Sequence, residues 1–413
     1  MVKNLDRYEI TTKNSQSWKH LANAYLFVKA NLANEGQYAV TVCNNGLNDF
    51  KLARLFYENK LIEEIDYVGI ATTVMNLIEF SGDISDSVAS QLLWYMDTAD
   101  TADRNRFAYI DGDKATELKA SARSLEYLVA RIKANTDFNR GFLERWQLTN
   151  GGKTFCKFIP LNRLFRFCRE VNKVLKGEIK IVLEKNHLKN ILHASGEAQY
   201  EYHITDLSLF IPELEPSLNV MATLENQLSL SEPTYYAWNP VQCYRSDVEN
   251  TTSGTWRVVN SQYKVNAIYI VFSKVARDNN FKETNMVFDH NNLESIQVRV
   301  NGKIFPAEEY RCDYTANRLD YSRLYTSFLS AGYKMQDDQG TCVSAKDYAL
   351  LYPIIAFDLT KQDDDPWANI QASEVEIRWR ISEFTENYYI YAVIQSERRA
   401  EVNVVDKQIF LTI

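Results

Sequence analysis

The stretch Ile296-Gln297-Val298-Arg299-Val300-Asn301-Gly302-Lys303-Ile304-Phe305 decides the fold class. Ile296, Val298 and Val300 alternate with Gln297 and Arg299, the two-residue period of a strand with one buried and one wet face. Asn301-Gly302 follows at once. Both residues tolerate the positive φ angles of a type I′ turn, so the segment reads as a tight antiparallel hairpin. The same alternation recurs nearby. Val375, Ile377, Trp379 and Ile381 interleave with Glu376, Arg378 and Arg380, and Val265, Ala267, Tyr269 and Val271 share one face of a strand whose other face is also largely apolar. Residues 353–359, 388–394 and 402–413 are further strand candidates.

The amino-terminal half carries similar signals. Ala24, Leu26 and Val28 alternate with Tyr25 and Phe27; Tyr38, Val40 and Val42 form one face, and Ile179, Ile181 and Leu183 another. Tyr200, Tyr202 and Ile204 lead into Leu207, Leu209 and Ile211 with a one-residue slip, which predicts a bulge. Three segments read as helices. Leu118, Ala122, Leu125, Val129 and Ile132 are spaced by four and three, with Asp113 in the cap region. Leu161, Leu164, Cys168, Val171 and Leu175 repeat that spacing after Pro160, with Gly177 as the stop. Tyr321, Leu324, Phe328 and Ala331 form a short third helix ended by Gly332. Strands and helices do not alternate regularly, which argues against a parallel α/β enzyme and for sandwiches.

At 413 residues the chain exceeds one ordinary core, since domains run about 100–200 residues. Pro233 and Pro240 mark the boundary region, so the domains are set at 1–231 and 232–413, with a helical insertion near 114–134. The 25 Tyr and 20 Phe suit half-buried pleated surfaces. The net charge of −8, without a Lys/Arg stripe, argues against sequence-specific nucleic-acid binding. The first fourteen residues lack the apolar core of a secretory signal. The longest apolar run, 348–357, is too short to span a bilayer.

Residue patterns that carry chemistry are scarce in the chain. Cys43, Cys156, Cys168, Cys243, Cys312 and Cys342 include no C-x-x-C pair and read as reduced core thiols of a protein folded in an intracellular compartment. His20, His187, His193, His203 and His290 include no pair spaced by four; only His187, His193 and His203 are near enough in sequence to suggest a meeting in space. No nucleophile elbow, phosphate loop or dinucleotide-binding turn occurs. Asp97, Asp100 and Asp103 do not match a calcium loop. Glu374 and Glu376 are read as solvent-facing acids rather than a glycosidase pair. Trp94, Trp146, Trp238, Trp256, Trp367 and Trp379 fit either a sugar platform or, more often, cores and contacts between chains. The run 318–323 suits an interface. The expectation is therefore no catalytic, cofactor-binding or metal residue, no cofactor and no enzyme activity, with the interface residues unassigned.

Several stretches resemble the major capsid proteins of Polinton/Maverick-type DNA viruses, adintovirus-like or virophage-like. They are WKHLANAYLFVKANL (18–32), VTVCNNGLNDFKLARLFYENKLIEEIDYVGI (40–70), RGFLERWQL (140–148), FIPLNRLFRFCREVNKVLKGEIKIVLEKN (158–186), YHITDLSLFIPELEPS (202–217), NLESIQVRVNGKIFPAEEY (292–310) and LYPIIAFDLT (351–360). The likeness lies in their order along both halves. It implies a mainly β protein of two tandem jelly-roll β-sandwiches, a double jelly roll, with a few short helices in the connecting loops. It implies a homotrimer of pseudo-hexameric outline, with jelly rolls upright in an icosahedral shell around double-stranded DNA. Trimer–trimer contacts and a penton-like minor capsid protein are the implied partners, and the virion is the implied location. The modest length predicts short surface towers. The alternatives are a carbohydrate-binding or carbohydrate-cleaving sandwich, separated by glycan binding or hydrolysis, and a vertex protein, separated by fivefold symmetry.

Overall fold

The computed structural model describes residues 5–12, 17–34, 38–103, 138–149, 154–171, 174–220, 222–223, 234–249, 251–261, 264–315, 318–332, 335, 340–360, 373–403 and 408–412. The helix expected at 114–134 and the border near 231 lie outside the described residues, as do Asp113 and Trp367.

The amino-terminal strands of four residues or more are β1 (Arg7–Thr11), β2 (Tyr25–Asn34), β3 (Phe50–Tyr57), β4 (Lys60–Asp66), β5 (Thr154–Pro160), β6 (Ile179–Lys185) and β7 (Tyr200–Phe210). Between β4 and β5 lie helices α1 (Val68–Glu79) and α2 (Arg140–Thr149), with shorter helical segments at Gly82–Asp86 and Val88–Leu92. The carboxy-terminal strands are β8 (Thr234–Trp238), β9 (Val241–Val248), β10 (Ser253–Ser261), β11 (Val265–Lys274), β12 (Leu293–Val300) and β13 (Lys303–Arg311). After helix α3 (Ser322–Ala331) come β14 (Ile355–Asp358), β15 (Ser373–Ile381), β16 (Tyr388–Ser396), β17 (Arg398–Asn403) and β18 (Gln408–Thr412).

The pairing is antiparallel and interlocked. In the second half the sheets run β9-β16-β11-β14 and β10-β15-β12-β13. Counting these eight strands in chain order, the first sheet reads 1-8-3-6 and the second 2-7-4-5, so neither holds a consecutive run throughout. This is a jelly roll, which meets the edge-strand problem by wrapping a long hairpin into two sheets. The first half repeats it. Its sheets β1-β6-β3-β4 and β7-β2-β5 occupy positions 2-7-4-5 and 8-3-6 of the same scheme. Both halves thus share one topology, and the expected two tandem jelly rolls are what the chain forms.

Sequence logic holds at the punctuation. Asn301 and Gly302 take φ of 49° and 81°, closing the β12–β13 hairpin as a type I′ pair requires. The predicted slip appears as a register shift between Ile204 and Asp206. The helix ending at Gly332 is α3.

Two expectations are corrected. The segment after Pro160 is not one helix but two turns, Leu161–Leu164 and Arg166–Glu170, and Leu175 lies on a strand, Val174–Lys176. Phe165 is extended (φ −117°, ψ 128°), and the buried Glu63 carboxylate accepts the backbone N–H groups of Arg166 and Phe167, so a tertiary cap restarts the helix. The strand expected at 402–413 is instead a pair, β17 with β18. Helix α1 has no counterpart in the sequence reading. Every residue from Val68 to Ile78 is buried, and its polar residues are the uncharged Thr72, Thr73 and Asn76, so no charged stripe marks a helical period.

One apolar core runs through both halves without interruption. Helix α1 and β4 of the first half lie against β9 of the second. At that seam Tyr67 meets Tyr391 edge-on at 5.5 Å, and Phe167 meets Trp238 at 5.1 Å.

Candidate functional site: the seam and the open sheet face

The residues that could carry chemistry are put to structural use. His193 is wholly buried, edge-on to Phe142 at 5.0 Å, whereas His187 and His203 are exposed. Among the described residues no group of three or more His, Cys, Asp or Glu side chains could hold a metal ion. No helix among them is long and apolar enough to cross a membrane. Trp94, Trp146, Trp238 and Trp379 are buried, so these four form no sugar platform. All six cysteines are free thiols, but the expectation of core thiols is corrected for two of them. Cys156 is exposed on β5 and Cys342 is only half-buried.

The carboxylate Asp97 has a role that its sequence spacing did not reveal. Its Oδ1 accepts from Arg145 Nη2 at 2.7 Å, and both side chains are 0% exposed. Arg145, from α2, also donates through Nε to Val42 O at 2.9 Å and through Nη1 to Tyr95 O. Asn139 donates to Asp97 Oδ1 at 2.9 Å, and its Oδ1 accepts Thr98 N–H at 3.0 Å. From the second half, the Tyr352 hydroxyl donates to Asp97 O at 2.8 Å, so the network spans the seam. Gly141 is required here: a Cβ would lie 2.4 Å from the carbonyl oxygens of Tyr95 and Met96.

Other buried charges are matched in the same way. Lys157 pairs with Asp49 and donates to Gly46 O at 3.1 Å, while the Tyr202 hydroxyl donates to Asp49 Oδ2 at 2.6 Å. Burial lowers the Lys157 pKa despite that partner. Arg277 holds Asp289 with two bonds, 2.6 and 2.9 Å, and lies 3.8 Å from Asp100 of the first half. It lines a polar cleft of about 470 Å³. Glu79 receives Arg163, Arg166 and Arg169; burial opposes its charge, but the Arg166 and Arg169 guanidiniums hold its carboxyl below the usual range. These groups pair chiefly with one another, although Asp97 Oδ2 and Arg277 Nε lack a hydrogen-bond partner among the described residues. Tyr352 with Asp97, and Arg277 with Asp100, tie the two halves together, and the cleft beside Arg277 is also lined by Asp100, Glu283, Asp289 and Glu386.

Glu63 gives this half a pH signature. Desolvation raises its pKa from 4.5 to about 7, against the two backbone N–H donors. A raised acid pKa means that the folded chain holds the proton more tightly. The resulting penalty is absent below about pH 4.5 and complete above about pH 7. His193 and His290, lowered by burial to about 4, act oppositely and cost stability as pH falls below 6.5. Replacing Glu63 with Gln removes only the first effect. Relative to the parent, Glu63→Gln gains about 3 kcal/mol between pH 4.5 and 8 in paired urea melts. A difference that does not change with pH contradicts the assignment.

The outward faces of the four sheets differ. On β1-β6-β3-β4 the outer face is charged, with Glu9–Lys180 at 3.2 Å and Arg54–Glu64 at 2.6 Å. On β10-β15-β12-β13 it is charged as well, with Arg257–Glu374 at 2.8 Å and Arg380–Glu294 at 3.0 Å. The expectation of solvent-facing acids thus holds for Glu374, whereas Glu376 is half-buried beside Arg378. The outer face of β9-β16-β11-β14 (Cys243, Tyr269, Val271, Tyr391, Val393) is buried, with the first half packed on it. The outer face of β7-β2-β5 is open and aromatic. Phe27, Phe158, Tyr25 and Phe210 run in ring contact at 5.2, 5.7 and 5.1 Å, with Phe158 40% and Phe210 47% exposed.

No curated protein sequence matches the chain. Among solved structures, a chain of the Sputnik virophage is similar over 98% of this chain and 85% of its own, with TM-score 0.59 and 11% identity. The Faustovirus major capsid protein is similar over 96% and 87%, with TM-score 0.56 and 10% identity. The mavirus major capsid protein is similar over 100% and 88%, with TM-score 0.50 and 9% identity. At such identities the likeness is one of fold. The family described as a double jelly roll-like domain matches residues 103–395, well over half of the chain. The repeated strand order and this match lead to one statement: the chain belongs to the double jelly roll-like domain family.

Proposed function

We propose that the chain is a major capsid protein of a Polinton/Maverick-type DNA virus, adintovirus-like or virophage-like, and acts without catalysis. The observation that carries this is the repeated jelly roll: two copies of one topology joined by a continuous core. A rigid two-part block of this kind suits tiling, because three copies joined head to tail present six similar units around an axis. The likeness to the Faustovirus and mavirus capsid proteins supports the same reading. In it, residues 1–231 and 232–413 form the two domains. Homotrimers of pseudo-hexameric outline tile an icosahedral shell, and a penton-like protein closes the vertices. Double-stranded DNA is enclosed without sequence-specific contact, consistent with the net charge of −8. Individually weak trimer–trimer contacts gain strength by number. Light scattering of the purified chain then reports three copies, and negative-stain images show hexagonal outlines. A monomer under all assembly conditions refutes the reading, and a pentamer points to a vertex protein.

A further inference from the structure

The sheets β7-β2-β5 and β9-β16-β11-β14 hold equivalent places in the two jelly rolls, positions 8-3-6 and 1-8-3-6. Their outer faces have opposite fates. In the second half that face is sealed by α1 and β4 of the same chain. In the first half the equivalent face carries Phe158 and Phe210 exposed, with Tyr25 and Phe27 half-buried between them. Position 1, which flanks β7 in this scheme, has no strand among the described residues.

We propose that this aromatic face is the contact surface for the second half of a neighbouring copy of the chain. The proposal rests on the capsid reading and assigns the interface within it. The covering elements follow from the repeat. Strand β4 holds position 5 and α1 lies between positions 5 and 6; their counterparts in the second half are β13 and α3. Ile304, on β13, is exposed at 41%. The seam inside one chain is thereby repeated between chains, the heterologous contact from which a closed ring is built. The size fits. Phe158 and Phe210, 40% and 47% exposed at ~200 Å² per ring, leave ~170 Å² of aromatic surface in water, and the half-buried Tyr25 and Phe27 enlarge that patch. That area supplies the apolar centre of a patch of about 800 Å² per partner, with the remainder as polar rim.

Cys156 offers a direct readout. It pairs across from Lys29, two residues from Phe158 on the same outer face, and is exposed. Maleimide labelling of Cys156, followed by mass spectrometry, is run on the assembled full-length protein and on the same protein diluted until it dissociates. Assembly is expected to slow labelling about tenfold. The double variant Phe158→Ser/Phe210→Ser is expected to weaken self-association about 30-fold or more while its circular dichroism is unchanged. If that variant misfolds, Ile304→Asp tests the partner surface and is expected to weaken association in the same way. An assembled parent whose Cys156 labels at the dissociated rate overturns this proposal alone, as does full-strength assembly of both variants. A parent that never assembles overturns the capsid reading, and this proposal with it.

Discussion

Replacing Arg145 with Met lowers the unfolding free energy by about 3–5 kcal/mol, the largest single-residue effect expected in the first half. The guanidinium is wholly buried and its principal partner, Asp97, is equally buried. Deleting one charge strands the other in a low-dielectric site, where an uncompensated carboxylate loses far more than the pair gains. Two backbone carbonyls, Val42 O and Tyr95 O, lose their donor at the same time. Each orphaned buried acceptor costs about 1–3 kcal/mol. Urea unfolding at pH 7 measures the loss. The double variant Arg145→Met/Asp97→Leu should recover part of it, because removing both charges is far less costly than removing one. A single variant within 1 kcal/mol of the parent would show that water reaches this pair.

Trp238→Ala is expected to cost about 3–5 kcal/mol, the range for deleting a buried large aromatic side chain. Trp238 is 1% exposed and sits at the end of β8, where its ring meets Phe167 of the first half at 84°. The cavity therefore opens in the seam itself. Trp238→Phe keeps a ring against Phe167 and should cost less than half as much. Differential scanning calorimetry separates two cases. A lower single transition means the halves still melt together. A split transition means that this ring carries much of their coupling. An unshifted midpoint would show that the seam does not need it.

Legibility varied with the physics. The Asn301-Gly302 turn and the bulge near Ile204 are local, because turn chemistry and period-two alternation lie within a few residues, and both stand as read. Helix α1 was hidden because burial on every side leaves it no charged stripe, only the small polar residues Thr72, Thr73 and Asn76. The Asp97–Arg145 pair was hidden because its partners are distant in sequence and only the fold joins them. The most instructive case is β5. Lys157 points inward to Asp49, while Cys156 and Phe158 point outward. The usual assignment of polar residues outward and apolar residues inward is inverted at these three positions, whereas Phe155 and Ile159 face inward as usual. Such inversions are expected where a surface serves something other than solvent. Of the groups weighed from the sequence, His193 and the tryptophans Trp94, Trp146, Trp238 and Trp379 prove buried, and the aromatic sheet face was not singled out.

The continuous core has a consequence for biosynthesis. On the ribosome, Tyr67 and the rest of α1 emerge long before Tyr391, the ring that covers them. At about 5–20 residues per second, the second half takes roughly 10–40 s to follow the first. During that interval the nascent first half shows water an apolar flank as well as its aromatic sheet. The interval invites premature pairing between neighbouring nascent chains on one message, so the order of synthesis itself bears on how cleanly this protein reaches its native form.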